Sequence, residues 1–362
     1  MLARARKHVI RSIGRSVLFE LGVRAADWAP APRAGLLRVL MYHRIDEVVA
    51  RDDLDPSLIS ATPAQFAAQL AWMSRDFDLV SLGDVLAAVH GDRPLPRRAV
   101  LLTFDDAYLD FQSHAWPILR DRAAPATLFV PTGFPDEPQA AFWWDRLYGA
   151  VVRSDTVDRI QTPFGPLGLP NPTARERAFR ALKQRLKSLS GAEMRQAVDD
   201  ICEQGQVHRP APAVMGWQAL KTLADEGVTL APHTHTHPFL DRIPEDAARE
   251  EIRRSRGVLE ARIGGILPAL AYPSGHLDER VAQLVREEGF EVAFTTVRGV
   301  NDLRHADPVM LRRTNIGRRT PDALIRLQMT AVSRHWNRPL LRRTATSVTQ
   351  TAGATREPNR AH

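Results

Sequence analysis

Seven short apolar runs punctuate the chain: LLRVLMYH (36–43), DLVSL (78–82), AVLLTF (99–104), ATLFVP (126–131), VTLAP (228–232), PALAY (268–272) and EVAFTT (291–296). Each has the length of a strand. Several are almost continuous in apolar residues, as strands covered on both faces are. Stretches such as TPAQFAAQLAWMSRDF, SHAWPILRDRA, EDAAREEIRRSRGVLEARI and DERVAQLVREEG carry helical periodicity between them. Strand alternating with helix predicts an α/β protein whose parallel sheet is sheathed in helices. Seven such units favour a barrel over an open sheet.

The rhythm breaks at 135–216, which holds FWWDRLYGAVV, a Pro/Gly-rich segment QTPFGPLGLPNP and two helical stretches, but no clear buried strand. This reads as a helical insertion in one barrel loop, placed to shape a cleft or act as a lid. Residues 333–362 are polar, basic and Thr/Ala-rich, the composition of a disordered tail. In residues 1–30, Ile10, Ile13, Val17 and Leu21 form a helical stripe flanked by Arg4, Arg11 and Arg15. That stripe suits an amphipathic helix, either lying on an anionic membrane through residues 1–25 or packed on its own domain.

Composition narrows the picture. A net charge of +7 spread along 362 residues does not suggest nucleic-acid binding. One cysteine, Cys202, excludes an internal disulfide or a cysteine-rich metal cluster. No run of about 18 apolar residues is present, and the N-terminus lacks the pattern of a secretory signal. The expectation is a cytoplasmic protein, with the inner membrane surface as a candidate contact.

Two motifs carry candidate chemistry. HTHTHP, at 233–238, follows the run VTLAP. His233 and His237 are four apart, which on a helical turn puts both imidazoles on one side, a usual spacing for two ligands of one metal ion. A polar turn with solvated rings would carry the same letters. In LLTFDDAYLDF, an apolar strand runs into Asp105 and Asp106. Adjacent carboxylates there are costly unless exposed, paired or metal-bound, although Asp106 would also serve as a helix cap. No Gly-Lys dipeptide occurs, so the strand is not the second half of a phosphate-loop site. Together the motifs offer a carboxylate and two imidazoles for a cation, with a second carboxylate beside them for proton transfer.

These motifs, followed by AYPSG (271–275), resemble the polysaccharide deacetylases, carbohydrate esterase family four, also called the NodB homology domain. MYHRI, ATLFVPTGF and MGWQALKTLADEGV add to the resemblance, which spans residues 36–320. It implies a distorted, seven-stranded parallel (β/α) barrel that removes acetyl groups from N-acetylated amino sugars of a polysaccharide or lipid-linked glycan. It also implies a divalent metal, zinc first among the candidates, held by Asp106, His233 and His237. Asp105 takes the place of the catalytic base, Thr234 that of a loop-supporting hydroxyl, and Ser274 that of a backbone N–H facing the oxyanion. Tyr272 and Pro273 fall where the family lines its groove. His43 and Trp144 are candidate sugar contacts, and a structural histidine and a core-packing indole are their plainer readings.

The sequence departs from the family pattern in three places. Ala271 stands where many members have an arginine that holds the base, and Ser274 where an aromatic residue is usual. The late Leu-x-His motif that commonly supplies the general acid has no clean match; its region reads VMLRRTNIGRR, with Arg312 or Arg313 in a related place. His276 and His305 are the nearest spare histidines by sequence. These departures leave two alternatives open: a non-catalytic carbohydrate-binding or assembly protein that keeps the barrel, and an O-acetyl esterase.

Overall fold

A computed structural model describes residues 35–48, 51–137, 141–155, 157–206 and 213–330. The expected N-terminal amphipathic helix and C-terminal tail lie outside the described residues. Among the described residues, no helix is long and apolar enough to cross a membrane.

The strands are β1 (Leu36–Tyr42), β2 (Arg44–Ile45), β3 (Ile59–Ala61), β4 (Asp78–Val80), β5 (Ala99–Phe104), β6 (Thr127–Val130), β7 (Arg159–Ile160), β8 (Leu167–Gly168), β9 (Thr229–Pro232), β10 (Ala269–Ala271), β11 (Val292–Phe294), β12 (Val300–Asp302) and β13 (Thr314–Asn315). The seven apolar runs correspond to β1, β4, β5, β6, β9, β10 and β11. The other six strands are two or three residues long, too short for periodicity to reveal. One of them modifies the reading of the insertion: β7 and β8 pair antiparallel across the Pro/Gly-rich turn.

The fold is the α/β class expected. β1 pairs parallel with β5, β5 with β6, and β6 with β9. β4 takes the first half of β5 and β6 its second half, the splayed arrangement of a distorted barrel. β10 and β11 form a parallel pair. The segment from Leu311 to Ile316 stitches that pair to β1, because Leu311 N–H donates to Ala293 O at 2.8 Å and Ile316 N–H donates to Met41 O at 2.9 Å.

Alternation along the strands sorts their side chains into two layers. Val39, Leu101, Phe129, Ala231, Ala271, Phe294 and Leu311 join one buried cluster. Leu40, Leu102, Leu128 and Leu230 face the other way, into the cluster beneath the covering helices. The helices start where side chains satisfy their first N–H groups. Thr62 and Gln65 make a reciprocal capping box ahead of Pro63–Asp76, with proline in the first turn, where no N–H partner is needed.

The insertion between β6 and β9 holds a core of its own. Leu147, Val151, Phe179, Leu182, Leu186, Val198 and Ile201 pack together from the helical segments Trp143–Tyr148, Gly149–Arg153, Pro172–Leu186 and Gly191–Gln204. Phe239, which follows HTHTHP directly, belongs to the same cluster. The insertion is therefore anchored on the loop that carries the histidines.

Candidate active site

Asp105 lies two residues beyond Thr103 on β5, His233 two beyond Ala231 on β9, and Arg313 two beyond Leu311. Period-two geometry thus delivers all three to the barrel interior at one end. The chain then leaves regular structure through unusual backbone. Asp106 (φ 75°), Ala107 (53°), Thr234 (62°), His237 (59°) and Ser274 (52°) are left-handed, five of the seven such non-glycine residues among those described. Conformations of this kind cost energy and persist where the surroundings over-determine them.

Asp106, His233 and His237 are buried, and one donor atom of each lies within 4.8 Å of the others. Asp106 Oδ1 is 3.6 Å from His233 Nε2 and 3.4 Å from His237 Nε2. Donors of a tetrahedral site with ~2.1 Å bonds stand ~3.4 Å apart. His233 Nδ1 donates to the Ala271 carbonyl at 2.8 Å, which leaves its Nε2 lone pair toward Asp106. Burial lowers the pKa of His233 and lowers that of His237 further, so both rings are neutral, the form that ligates. Burial, Asp105 and Asp145 together hold the Asp106 carboxyl well above the usual range. Its Oδ1 and His237 Nδ1 are buried without a hydrogen-bond partner among the described residues. A buried carboxylate oxygen facing two neutral imidazoles, with no counter-charge of its own, fits a divalent cation.

Asp105 is held differently. Arg313 grips it with both arms, Nη1 to Oδ1 at 2.7 Å and Nη2 to Oδ2 at 2.8 Å. Arg313 Nε donates to the Thr295 carbonyl at 2.8 Å, and the whole side chain is buried. Burial pushes Asp105 upward, but Arg313, through its charge and its hydrogen bonds, together with His233 and His43 brings the carboxyl down to about 2. The arginine sought at Ala271 is thus supplied from a different segment. Of the two arginines in VMLRRT, Arg313 fills that place; the Arg312 backbone N–H instead donates to Asn301.

The loop between the histidines is fixed by groups the sequence did not single out. Glu251, on the helix Glu245–Ile263, accepts from His235 N–H at 2.9 Å and from Thr236 N–H and Oγ1 at 2.7 and 2.6 Å. Thr234 Oγ1 accepts from His237 N–H at 3.1 Å. Gly133 lets the loop approach β6, since a Cβ there would sit 2.9 Å from the His235 carbonyl oxygen. The signal for Glu251 was an acidic side chain among many on an exposed helix, which no spacing rule distinguishes.

Several expected sugar contacts are corrected. Tyr272 is fully buried, its hydroxyl donating to the Val309 carbonyl, and Pro273 is buried beside it. Neither lines an open groove. Trp144 is 5 % exposed, donates from Nε1 to Tyr108 Oη and packs edge-to-face on His237 at 5.1 Å. It braces the His237 ring instead of offering a sugar platform. His43 is partly buried just beyond β1, close enough to Asp105, Arg313 and His233 for their charges to act on it. Burial lowers its pKa to about 4. Ser274 sits at the tip of the PSG turn, where its carbonyl accepts from Thr296 Oγ1. Neither spare histidine supplies an obvious acid. His276 stacks on Phe239 at 4.3 Å and pairs with Asp241. His305 is exposed beside Asp302, whose strand pairs with the start of β1, at the opposite end of the barrel.

A parallel α/β barrel with an Asp-His-His donor set and a guanidinium-locked carboxylate at the carboxyl ends of its strands defines a hydrolase-type site. Residues 92–293, more than half of the chain, match the family model for polysaccharide deacetylases. The chain belongs to the polysaccharide deacetylase family. Over 105 residues it is 31 % identical to the poly-beta-1,6-N-acetyl-D-glucosamine N-deacetylase of Escherichia coli K12; the match covers 29 % of this chain and only 15 % of that relative. Among solved structures, the Streptococcus pyogenes deacetylase PplD in complex with acetate aligns with a TM-score of 0.56 at 20 % identity, covering 82 % of this chain and 99 % of that one. IcaB from Ammonifex degensii aligns at 0.53 and 20 % identity, covering 82 % and 98 %. At such identities the structural likeness speaks for the fold.

Proposed function

We propose that the protein is a metal-dependent N-deacetylase of N-acetylated amino sugars in a glycan. The observation that carries this reading is the pairing of an Asp106–His233–His237 donor set with a second carboxylate, Asp105, locked by Arg313. A divalent cation held by those three donors would polarise the acetyl carbonyl and acidify the attacking water, so that a carboxylate as weakly basic as Asp105 can take its proton. Arg313 keeps Asp105 ionised and fixes its direction. The backbone N–H at Ser274, in the third motif, would donate to the oxygen that gains charge as the carbonyl carbon becomes tetrahedral. Among the described residues, His43 is the imidazole near Asp105 outside the donor set; burial keeps it neutral, so it would first take up the proton that Asp105 removes from water and then pass it to the departing sugar nitrogen. The C–N bond then breaks to give acetate and the free amine. Recruitment of Arg313 weighs against the non-catalytic alternative, because a purely structural cation needs no guided base next to it.

The test is acetate release from N-acetylglucosamine oligomers by zinc- or cobalt-loaded protein. Asp105→Asn should abolish it. His43→Asn should lower amide turnover by about 10²-fold while sparing an activated aryl acetate, whose leaving group needs no proton. Equal loss on both substrates would remove His43 from the role of acid. Turnover of O-acetyl esters alone would replace the amidase reading by the esterase one.

A further inference from the structure

The chain has only four lysines, and two of them, Lys183 and Lys187, stand one turn apart on the insertion helix Pro172–Leu186 and its C-cap. Residues four apart share a helix face. The charge of Lys183 acts on Asp106 and on His43. Its ammonium pairs with Asp55 and donates to Ser57 Oγ at 3.1 Å. Lys187 lies against the segment that follows HTHTHP. Its Nζ lies 6.0 Å over the ring of Phe239, two residues beyond His237, and that ring stacks on His276 just after the PSG turn. Among the described residues, no carboxylate pairs with Lys187. Partial burial and the neighbouring Lys183 lower its pKa. A half-buried ammonium next to a like charge, with no counter-ion, is an unfavourable arrangement in the free protein. An anion placed there would relieve it.

Resting on the N-deacetylase reading, we propose that Lys187, seconded by Lys183, is a specificity-determining residue that receives an anionic group, a phosphate or a carboxylate, carried near the acetylated amino sugar. The insertion then selects a charged glycan or a phosphorylated sugar precursor over a neutral amino-sugar polymer. Lys183 is held in line by Asp55.

The experiment compares three probes on the full-length, zinc-loaded chain: N,N′-diacetylchitobiose as the neutral one, N-acetylglucosamine 1-phosphate, and an N-acetylhexosamine–uronic acid disaccharide. Binding by calorimetry and acetate release are both measured. The wild type should bind at least one anionic probe about tenfold more tightly than the neutral one, with the preference falling as sodium chloride is raised. Which anionic probe gains decides between phosphate and carboxylate. Lys187→Met should erase the preference, and Lys187→Arg, which keeps the charge, should restore most of it. Equal binding of all three probes by the wild type, or an equal loss for charged and neutral probes in Lys187→Met, overturns the proposal. Anion-selective binding without acetate release from any probe would leave the lysine assignment standing and defeat the hydrolytic reading instead.

Discussion

Arg313 and Asp105, 208 residues apart in sequence, form a fully buried two-armed ion pair at 2.7 and 2.8 Å. This contact fixes the base. Arg313→Met should leave Asp105 buried without its partner and destabilise the fold by about 3–5 kcal/mol. The double variant Arg313→Met/Asp105→Asn should recover a large part of that loss in urea denaturation. Arg313→Lys should not rescue activity, because an ammonium cannot reproduce the fork. Additive losses in the double variant would mean that the pair is not what Arg313 contributes.

Glu251 clamps the segment between the two histidines through three hydrogen bonds. Glu251→Ala should weaken zinc binding by about 10–100-fold, read by competition with a chromogenic chelator, although Glu251 touches no ligand atom. Glu251→Gln retains one acceptor oxygen and should fall between. Unchanged zinc affinity in Glu251→Ala would show that the loop is held adequately by Thr234 and Gly133.

Removal of the cation should be felt in stability as well as in turnover. Zinc in excess should raise the melting temperature of the metal-free protein by mass action, roughly 2.7 kcal/mol at a hundred times Kd. Asp106→Ala, His233→Ala and His237→Ala should each abolish most of that rise. Asp106→Asn should melt no lower than the wild type when both are metal-free, since it removes a buried carboxyl that has no counter-charge. A zinc-induced rise that survives all three alanine variants would place the cation elsewhere.

Asp145 gives the fold a pH dependence whose sign is fixed by its surroundings. It is buried in the helix Trp143–Tyr148, accepts from Asp55 N–H and Tyr108 Oη–H, and is pushed by burial up to about 7. A raised carboxyl pKa means that the folded chain keeps a proton the unfolded chain has already lost. Its contribution is therefore fully present below the ordinary carboxylate range and declines as pH rises through about 7. Relative to wild type, Asp145→Asn should gain roughly 2 kcal/mol between pH 5 and pH 8. A constant difference across that range would show that Asp145 is ionised throughout.

Gly275 has φ 69° in the PSG turn, and a Cβ there would meet the Thr296 backbone nitrogen at 2.7 Å. Gly275→Ala should cost about 1–3 kcal/mol and displace Ser274, lowering kcat more than it raises KM. Wild-type kinetics in this variant would separate the turn from oxyanion binding.

Much of this protein was written in local pattern. Continuous apolar runs specified the seven principal strands, because a strand covered on both faces has no polar phase to hide. The DD pair and the HTHTHP run marked the donor set, because buried carboxylates and imidazoles at strand ends have few other uses. What pattern could not specify was which side chains from distant segments would meet. Arg313 reaches Asp105 only because the Leu311–Ile316 segment closes the barrel between β11 and β1, and closure is a property of the whole sheet. Tyr272 and Trp144 looked like groove residues by position, yet packing turned both inward, where their polar atoms found partners. Nothing in the local pattern set Lys183 and Lys187 apart; the docking of the insertion core on Phe239 brings one of them to Asp55 and the other to the segment after the histidines. Strand, turn and ligand type follow from neighbours along the chain; partnership and exposure follow from which surfaces the fold brings together and takes out of water.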